Sequence, residues 1–401
     1  MSSLFGWMDQ DDAQRAAMNE IVMMFQDQGS VDELGIGAVR DAFSNHFFPG
    51  TSVLHTRVRY LLFVPWLLRD AGRRGHSLDQ AKHELRQAEV RLIRSLLAGN
   101  ETTGVIGSQA QDRLKTMPSQ VYWPALQRYG VVRWSLGIEG HLRRMAGRAA
   151  HRSDVTAGDA ADALGPDLGL DDELPTAPDE LLSATTFDLN VDEARYLQGV
   201  FARLPGDSLL SRFATRPHEA VGERIWTSPA LERLPDTQKL QVDHSRRLHH
   251  AWHGAPLLYN LMLAQLVSDD ALVEEYDTRL KEWEAELKEH RVFEGWDRFG
   301  FWSLVRGLNP RLRSSTQSFV EDWFALAESG RYTSSHARAL VRQREIFLKG
   351  RRSRLLDAQA RESWTPGAGT GRLGYRWGIA TSFLADIHTG LTSAEDTEGA
   401  A

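Results

Sequence analysis

Between Arg331 and Arg376 the chain carries eleven Arg and Lys residues and three Asp or Glu, a net charge of +8 on a protein whose overall formal charge is −7. Everything outside that stretch therefore sums to −15. Clustered guanidinium groups on an otherwise acidic chain make a local positive field, the footprint of a surface that meets phosphates. Residues 335–349 read as a helix in which Arg338, Arg342, Glu345 and Lys349 share one face at about 100° per residue. Ala337, Leu340, Val341, Phe347 and Leu348 form the opposite arc, expected to be buried. Arg344 falls inside that arc. A buried guanidinium needs a carboxylate or a ligand, unless its side chain reaches out to solvent.

Gly350 is a natural stop for this helix, and Arg351, Arg352 and Arg354 follow at once. Further on, residues 363–374 form a glycine-rich loop ahead of Tyr375-Arg376-Trp377. Glycine lets backbone N–H groups approach an anion closely, with Arg372 and Arg376 beside them. Trp364, Tyr375 and Trp377 have the faces on which bases stack. The plainer alternative is a connector whose aromatics belong to a core. The candidate nucleic-acid contacts are thus Arg338, Arg342, Arg344, Lys349, Arg351, Arg352, Arg354, Arg372, Arg376 and Trp377.

Other chemistry is thinner. His244, His249, His250 and His253 cluster between Asp243 and His253, and His249 and His253 share a helix face with a spacing that suits a metal ion. Only Asp243 is acidic there, so no metal or cofactor is expected, with His249 and His253 as the fallback ligands. Gly369-Thr-Gly-Arg-Leu-Gly374 matches a dinucleotide-binding glycine pattern but follows no hydrophobic strand. Glu286-Leu-Lys288 has the E-x-K form of a restriction-type nuclease, yet it sits on the outward side of a helical pattern. No phosphate-binding P-loop, serine-hydrolase elbow or H-E-x-x-H motif occurs. The absence of cysteine removes disulfides, thiolate nucleophiles and Cys-ligated metals together.

The elements that must position these residues are helical. Ser77-Leu-Asp-Gln80 has capping-box spacing, and Leu78, Ala81, Leu85, Ala88, Leu92 and Leu96 follow at helical intervals to a stop at Gly99. Pro49-Gly-Thr-Ser52 reads as a turn before an apolar helix through Leu68, and 117–130 as a short helix closed by Gly130. Pro256 suits a first helical turn leading to Leu266. Leu272, Tyr276, Leu280, Trp283 and Leu287 form the next stripe, with Glu275–Arg279 and Glu284–Lys288 on its polar side. The fold class is mainly α: two or three helical subdomains with at most a few short strands, the best place for one being 129–136. The expected division is an N-terminal helical domain at 1–152, with possible helix-turn-helix or winged-helix character; an acidic linker or insert at 153–194; a central helical domain at 195–300; a basic region at 301–391; and a disordered tail at 392–401. The acidic stretch 153–194 holds twelve Asp or Glu and no Lys or Arg. It reads as a solvated connector or as an autoinhibitory strand over the basic groove. No stretch approaches the ~20 apolar residues that span a bilayer, and the N-terminus lacks a signal-peptide layout. A cytoplasmic protein with no membrane contact is expected.

Several stretches resemble the bacterial family of uncharacterised proteins known as DUF6361. They are Met1-Ser-Ser-Leu-Phe-Gly-Trp7, Asp32 to Gly37 with Arg40 to Phe43, Phe48 to Ser52 leading to Arg57, Arg59-Tyr60 and Phe63 to Trp66, Pro118 to Trp123, Leu258 to Ala264, Arg342 to Arg354, and Tyr375-Arg-Trp377. The resemblance carries no catalytic residues. It implies a DNA-linked role beside helicases and other DNA-processing proteins of bacterial defence islands. The expectation is a non-catalytic component of a DNA-processing or antiphage system that binds double-stranded DNA, or a nucleoprotein, through Arg331–Arg376, with a helicase or nuclease as partner. A metal-dependent nuclease or other hydrolase, and a helical scaffold without nucleic-acid contact, are the alternatives.

Overall fold

The computed structural model describes residues 32–74, 77–154 and 167–393; the N-terminal motif at 1–7 and the tail from 394 lie outside them. The α-helices in chain order begin with α1 (Gly37–Phe47), α2 (Tyr60–Arg74), α3 (Leu78–Ala98), α4 (Pro118–Arg128) and α5 (Ile138–Asp154). They continue with α6 (Val191–Ala202), α7 (Leu209–Ala214), α8 (Asp236–Leu266), α9 (Asp270–Glu289) and α10 (Arg298–Leu308). The last are α11 (Ser314–Glu328), α12 (Ser335–Lys349), α13 (Ala358–Arg361) and α14 (Trp377–Thr392). Among the described residues there is no strand, only an isolated antiparallel bridge between Val132 and Leu170, so the N-terminal block has no β-wing there. No helix among them is long and apolar enough to cross a membrane. The mainly α class is what the periodicities predict.

Contacts divide the described chain into two compact units that are discontinuous in sequence, unlike the consecutive blocks expected above. The first comprises residues 48–221 and 376–393, the second residues 32–47 and 222–375.

In the first unit α2 is the central element. Its residues from Tyr60 to Leu68 are all buried, and α3, α4 and α5 pack around it. Such a run is buried on all sides because no polar face interrupts it, and each fully buried Leu or Phe contributes about 1.5–3 kcal/mol. Ser77 caps α3 by accepting from the Gln80 N–H. Arg59 enters the interior with a partner: its Nη2 donates to Glu193 Oε1 at 2.8 Å and its Nη1 to the Thr186 carbonyl at 2.7 Å. Glu193 also completes the capping box of α6 with Asn190. Most of α4 is likewise buried (Val121, Tyr122, Trp123, Ala125 and Leu126), which leaves it little surface for a DNA groove.

The acidic segment is not a free connector where it is described. Leu170, Leu181, Phe187 and Leu189 are buried, Trp66 Nε1 donates to the Pro175 carbonyl at 2.7 Å, and Ser95 Oγ donates to the Leu181 carbonyl at 2.8 Å. Its carboxylates meet cations of the same unit: Arg133 pairs with Asp167 and Asp172, and Arg203 with Asp171 and Glu173. Apolar residues spaced between the acids bind it down, a signal that net charge alone obscures.

His55 lies in the core of this unit, its ring stacked on Tyr122 with centroids 4.2 Å apart. Its Nδ1 accepts from the Ser52 N–H at 3.2 Å and its Nε2 donates to the Val121 carbonyl at 3.3 Å, which fixes the neutral tautomer. Burial, reinforced by Arg376 and opposed by the Val121 bond, pushes its pKa down to about 3. The unfolded chain takes the proton near pH 6.5, so stability is lost as pH falls from there toward 3, at about 1.4 kcal/mol per pH unit. His55→Phe, which keeps the stacking, is expected to cost about 1–3 kcal/mol at pH 8. That gap should narrow on acidification, as read from denaturant midpoints; a pH-independent gap contradicts this assignment.

In the second unit α8 is the hub, packed by α9, α11 and α12. Pro256 does not start a helix: it lies inside α8, which runs for 31 residues. A proline in a helix removes one N–H donor and crowds the carbonyl four residues back. The two carbonyls just before that one have outside donors, since Trp283 Nε1 reaches the His250 carbonyl at 2.7 Å and Trp323 Nε1 that of Ala251 at 2.9 Å. Gly254 makes the approach possible, because a Cβ there would stand 2.3 Å from the Trp283 ring. Downstream, the Asn260 amide donates to the Pro256 carbonyl at 2.8 Å. Of the α9 stripe Tyr276, Leu280, Trp283 and Leu287 are buried and Leu272 is half-buried, with Glu275–Arg279 and Glu284–Lys288 paired on the polar side.

Candidate functional site

The helix α12 has the bounds the sequence predicts, but its inward face is turned from the apolar arc. Ala337, Val341, Arg344 and Glu345 are buried, whereas Phe347 and Leu348 are 63% and 39% exposed. The physical reason is that both charged residues find complete sets of partners inside. Arg344 Nε donates to the Leu34 carbonyl at 2.9 Å, and its Nη2 donates to the Gly35 carbonyl at 2.9 Å and to Thr316 Oγ1 at 3.0 Å. The Phe319 ring lies 5.0 Å from its guanidinium carbon. No carboxylate or ligand is required, and Arg344 is not on a binding face.

Glu345 has no exposed surface and accepts from Tyr259 Oη at 2.7 Å, Ser353 Oγ at 2.7 Å, the N–H groups of Arg354 and Leu355 at 3.0 and 2.9 Å, and Lys349 at 3.1 Å. Burial alone would raise its pKa; the donors and the Lys349 charge outweigh it and hold the carboxylate below its usual range. Lys349 also pairs with Glu33, whose other oxygen accepts from Arg354 Nη1 at 2.7 Å. Lys349 and Arg354 are therefore internal counter-charges.

The glycine-rich loop likewise faces inward. The Gly367 N–H donates to Tyr276 Oη at 2.7 Å, the Ala368 carbonyl accepts from the Asn260 amide at 2.7 Å, and Trp364 Nε1 donates to Asn260 Oδ1 at 3.0 Å. Tyr375 is buried, its hydroxyl on the Ser245 carbonyl at 2.7 Å. Arg376 and Trp377 fall in the first unit. There Arg376 Nη1 donates to the Thr51 carbonyl at 2.7 Å, and Trp377 is buried against Phe48 and Phe213. Trp377 is a core residue and offers no face to a base.

What remains outward is compact in sequence. Arg342, Arg351 and Arg352 are exposed, and no hydrogen bond or ion pair engages them among the described residues. Among the described residues Arg338 meets only neutral acceptors, Gln265 Oε1 at 2.7 Å and the Thr333 carbonyl at 3.2 Å. Phe347, Leu348 and Leu356 are exposed within the same stretch of chain.

A second cluster lies on α8 and α9. Arg372 holds Glu286 with two bonds, Nη1 to Oε1 at 2.7 Å and Nη2 to Oε2 at 2.5 Å, and His250 Nδ1 donates to Glu286 Oε1. Burial would raise the Glu286 pKa, but the His250 and Arg372 bonds hold it well below the usual carboxylate range. The His290 ring lies tilted against that of His250, with ring centroids 4.6 Å apart. The expected pair behaves differently. His249 Nδ1 donates to the Leu373 carbonyl at 2.8 Å, and His253 Nδ1 is buried without a hydrogen-bond partner. The E-x-K reading of Glu286 dissolves too, since Lys288 pairs with Glu284. Sequence reasoning missed this set; the signal that could have found it is Glu286-x-x-x-His290, an i,i+4 pair on one helix face, joined to His250 by the α8–α9 packing. A separate open cleft of about 560 Å³ between α10 and α11 carries Arg298 and Arg306 beside the 87%-exposed Phe299. Arg298 is paired there with Glu328, and Arg306 donates to Gln317.

If Glu345 is the internal anchor described, Glu345→Ala should lower stability by about 3–5 kcal/mol by leaving buried donors and Lys349 unmatched. Thermal unfolding of the variant checks this, and an unchanged midpoint would remove Glu345 from the structural framework.

The family described as "Family of unknown function (DUF6361)" has a model that matches residues 1–390. No curated protein and no solved structure matches the chain.

Proposed function

The chain belongs to the DUF6361 family, and from its surface charge we propose that it is a non-catalytic component that binds double-stranded DNA through Arg342, Arg351 and Arg352, with Arg338 alongside. The observation that carries this reading is what internal pairing leaves over. Within the +8 stretch Lys349, Arg354 and Arg372 are matched by Glu33, Glu345 and Glu286, and Arg344 is satisfied by carbonyls and a hydroxyl. Arg342, Arg351 and Arg352 keep their charge in water with no counter-ion from the described chain. Arginine in that state gains most from phosphate, which accepts two bonds in a fork and releases condensed counter-ions. The exposed Phe347, Leu348 and Leu356 add apolar surface for sugar faces or for a protein already on the DNA. A DNA-processing or antiphage system, with a helicase or nuclease as partner, is the setting proposed for this activity. The hydrolase alternative rests on the cluster of His250, Glu286 and His290.

The test is binding of labelled duplex DNA across a salt series. Neutralising Arg342, Arg351 and Arg352 together to Ala is expected to weaken binding and to flatten the dependence of log affinity on log salt by about 0.9 per arginine. Thermal stability should stay within about 0.5 kcal/mol, since none of the three is engaged internally. Equal affinity and slope in the triple variant overturn the proposal.

A further inference from the structure

We propose that His250, Glu286 and His290 form a binding site for a divalent first-row transition metal, Zn²⁺ above all, with a coordination position left open to solvent. One ligand atom from each of the three lies within 4.8 Å of the others. Two helices supply them. Glu286 and His290 stand one turn apart at the end of α9, and His250 comes from α8, held by the Trp283 bond to its carbonyl. Two imidazoles and one carboxylate are the donor set of borderline metals; Mg²⁺ and Ca²⁺ prefer oxygen alone.

The geometry is near to what such an ion needs. Tetrahedral Zn²⁺ with bonds of about 2.0–2.2 Å places its ligand atoms about 3.4 Å apart. Bringing the set together calls for up to about 1.4 Å of closure on that scale, and His290 is free to supply it. Its side chain is exposed at the helix terminus and meets the next residue, Arg291, in a left-handed turn with φ 45°. The ion would take the place of the proton that His250 Nδ1 now gives to Glu286 Oε1; in the neutral imidazole that proton moves to Nε2 and leaves the Nδ1 lone pair to the metal. Arg372 does not block this. A carboxylate has about four lone-pair sites and the guanidinium fork uses two, so Arg372 becomes the outer partner that fixes the carboxylate, as metal ligands commonly require. Two further groups mark the place as more than a surface pair. Trp226 lies against both His249 and His250, and the buried His253 Nδ1, one helical turn from His250, lacks a partner. Three protein ligands with a solvent-facing side is the arrangement of an ion that retains a water molecule. The site stands independently of the DNA-binding reading.

The full-length protein, freed of metal by a chelator, is titrated with Zn²⁺ against a chromophoric competitor and separately with Co²⁺, whose visible absorption reports four-coordinate binding. One equivalent should bind, excess Mg²⁺ should not displace it, and the folded protein should melt at a higher temperature with Zn²⁺ present. His290→Ala, at an exposed position, should leave the metal-free melting temperature unchanged while weakening Zn²⁺ at least tenfold and abolishing the Co²⁺ bands. Glu286→Gln should also lose the bands; because it disturbs Arg372, the His290 variant carries the decision. His253→Leu should retain binding. No stoichiometric Zn²⁺ binding by the wild-type protein, or a His290→Ala variant that binds as the wild type does, overturns the proposal and leaves a hydrogen-bonded His–Glu–Arg cluster. DNA affinity measured on the same His290→Ala protein should not change, which keeps this test separate from that of the arginine face.

Discussion

A carboxylate shut away from water must be surrounded by donors, because leaving an ionised group unmatched in the interior costs several kcal/mol. Glu345 imposes that condition on the second unit, and much of the local architecture is the way it is met. Two of its five donors are backbone N–H groups, those of Arg354 and Leu355. To bring them back to residue 345 the chain must reverse within a few residues of the end of α12. It does so at Gly350, with φ 55°, and through the short 3₁₀ turn Gly350–Arg352. Only glycine takes such a conformation without strain. The outer side of that reversal is where Arg351 and Arg352 stand. An internal acid thus determines where external bases are displayed.

The same condition explains why a stretch of net charge +8 presents so few free cations. Glu33 and Glu286, far away in sequence, come back to meet Lys349, Arg354 and Arg372. A polar interior of this kind is rigid only when complete, and a half-satisfied network would be worse than an apolar one. Arg344 shows the alternative solution, a guanidinium dissolved in carbonyl oxygens with an aromatic ring beneath it.

How far the sequence could be read depended on the range of the interaction. Local signals were legible: the bounds of α12, the cap at Ser77, the stop at Gly350 and the stripe of α9 all follow from spacing within a turn or two. The inward face of α12 was not, because hydropathy assigns Arg344 and Glu345 by type, whereas burial depended on acceptors at Leu34 and donors at Tyr259 and Ser353. Pro256 misled for a similar reason: the indoles of Trp283 and Trp323 that serve the neighbouring carbonyls arrive from other helices. The basic region was found as a charge count, but which of its arginines face outward follows only from the carboxylates that return to the others. Of the metal-type cluster, His250 was legible only as one of a run of histidines and Glu286 only within E-x-K; their meeting with His290 depends on the packing of α9 on α8.

The ion pairs of Glu33 have a consequence for the order in which the molecule can be built. They join residues 316 and 321 positions apart, and they close a unit whose described parts are 32–47 and 222–375. The first unit is closed in turn by α14, which packs on α6 and begins at Trp377. During synthesis neither unit has its full complement of helices until nearly all of these residues have left the ribosome, and both must then be completed from widely separated pieces of chain. Contacts of such long sequence separation form slowly, because the loop between them must be ordered before they repay it. A nascent chain halted before Tyr375 lacks α14 and leaves the face of α6 that packs on it uncovered, a state in which helper proteins or proteases have the longest opportunity to act on it.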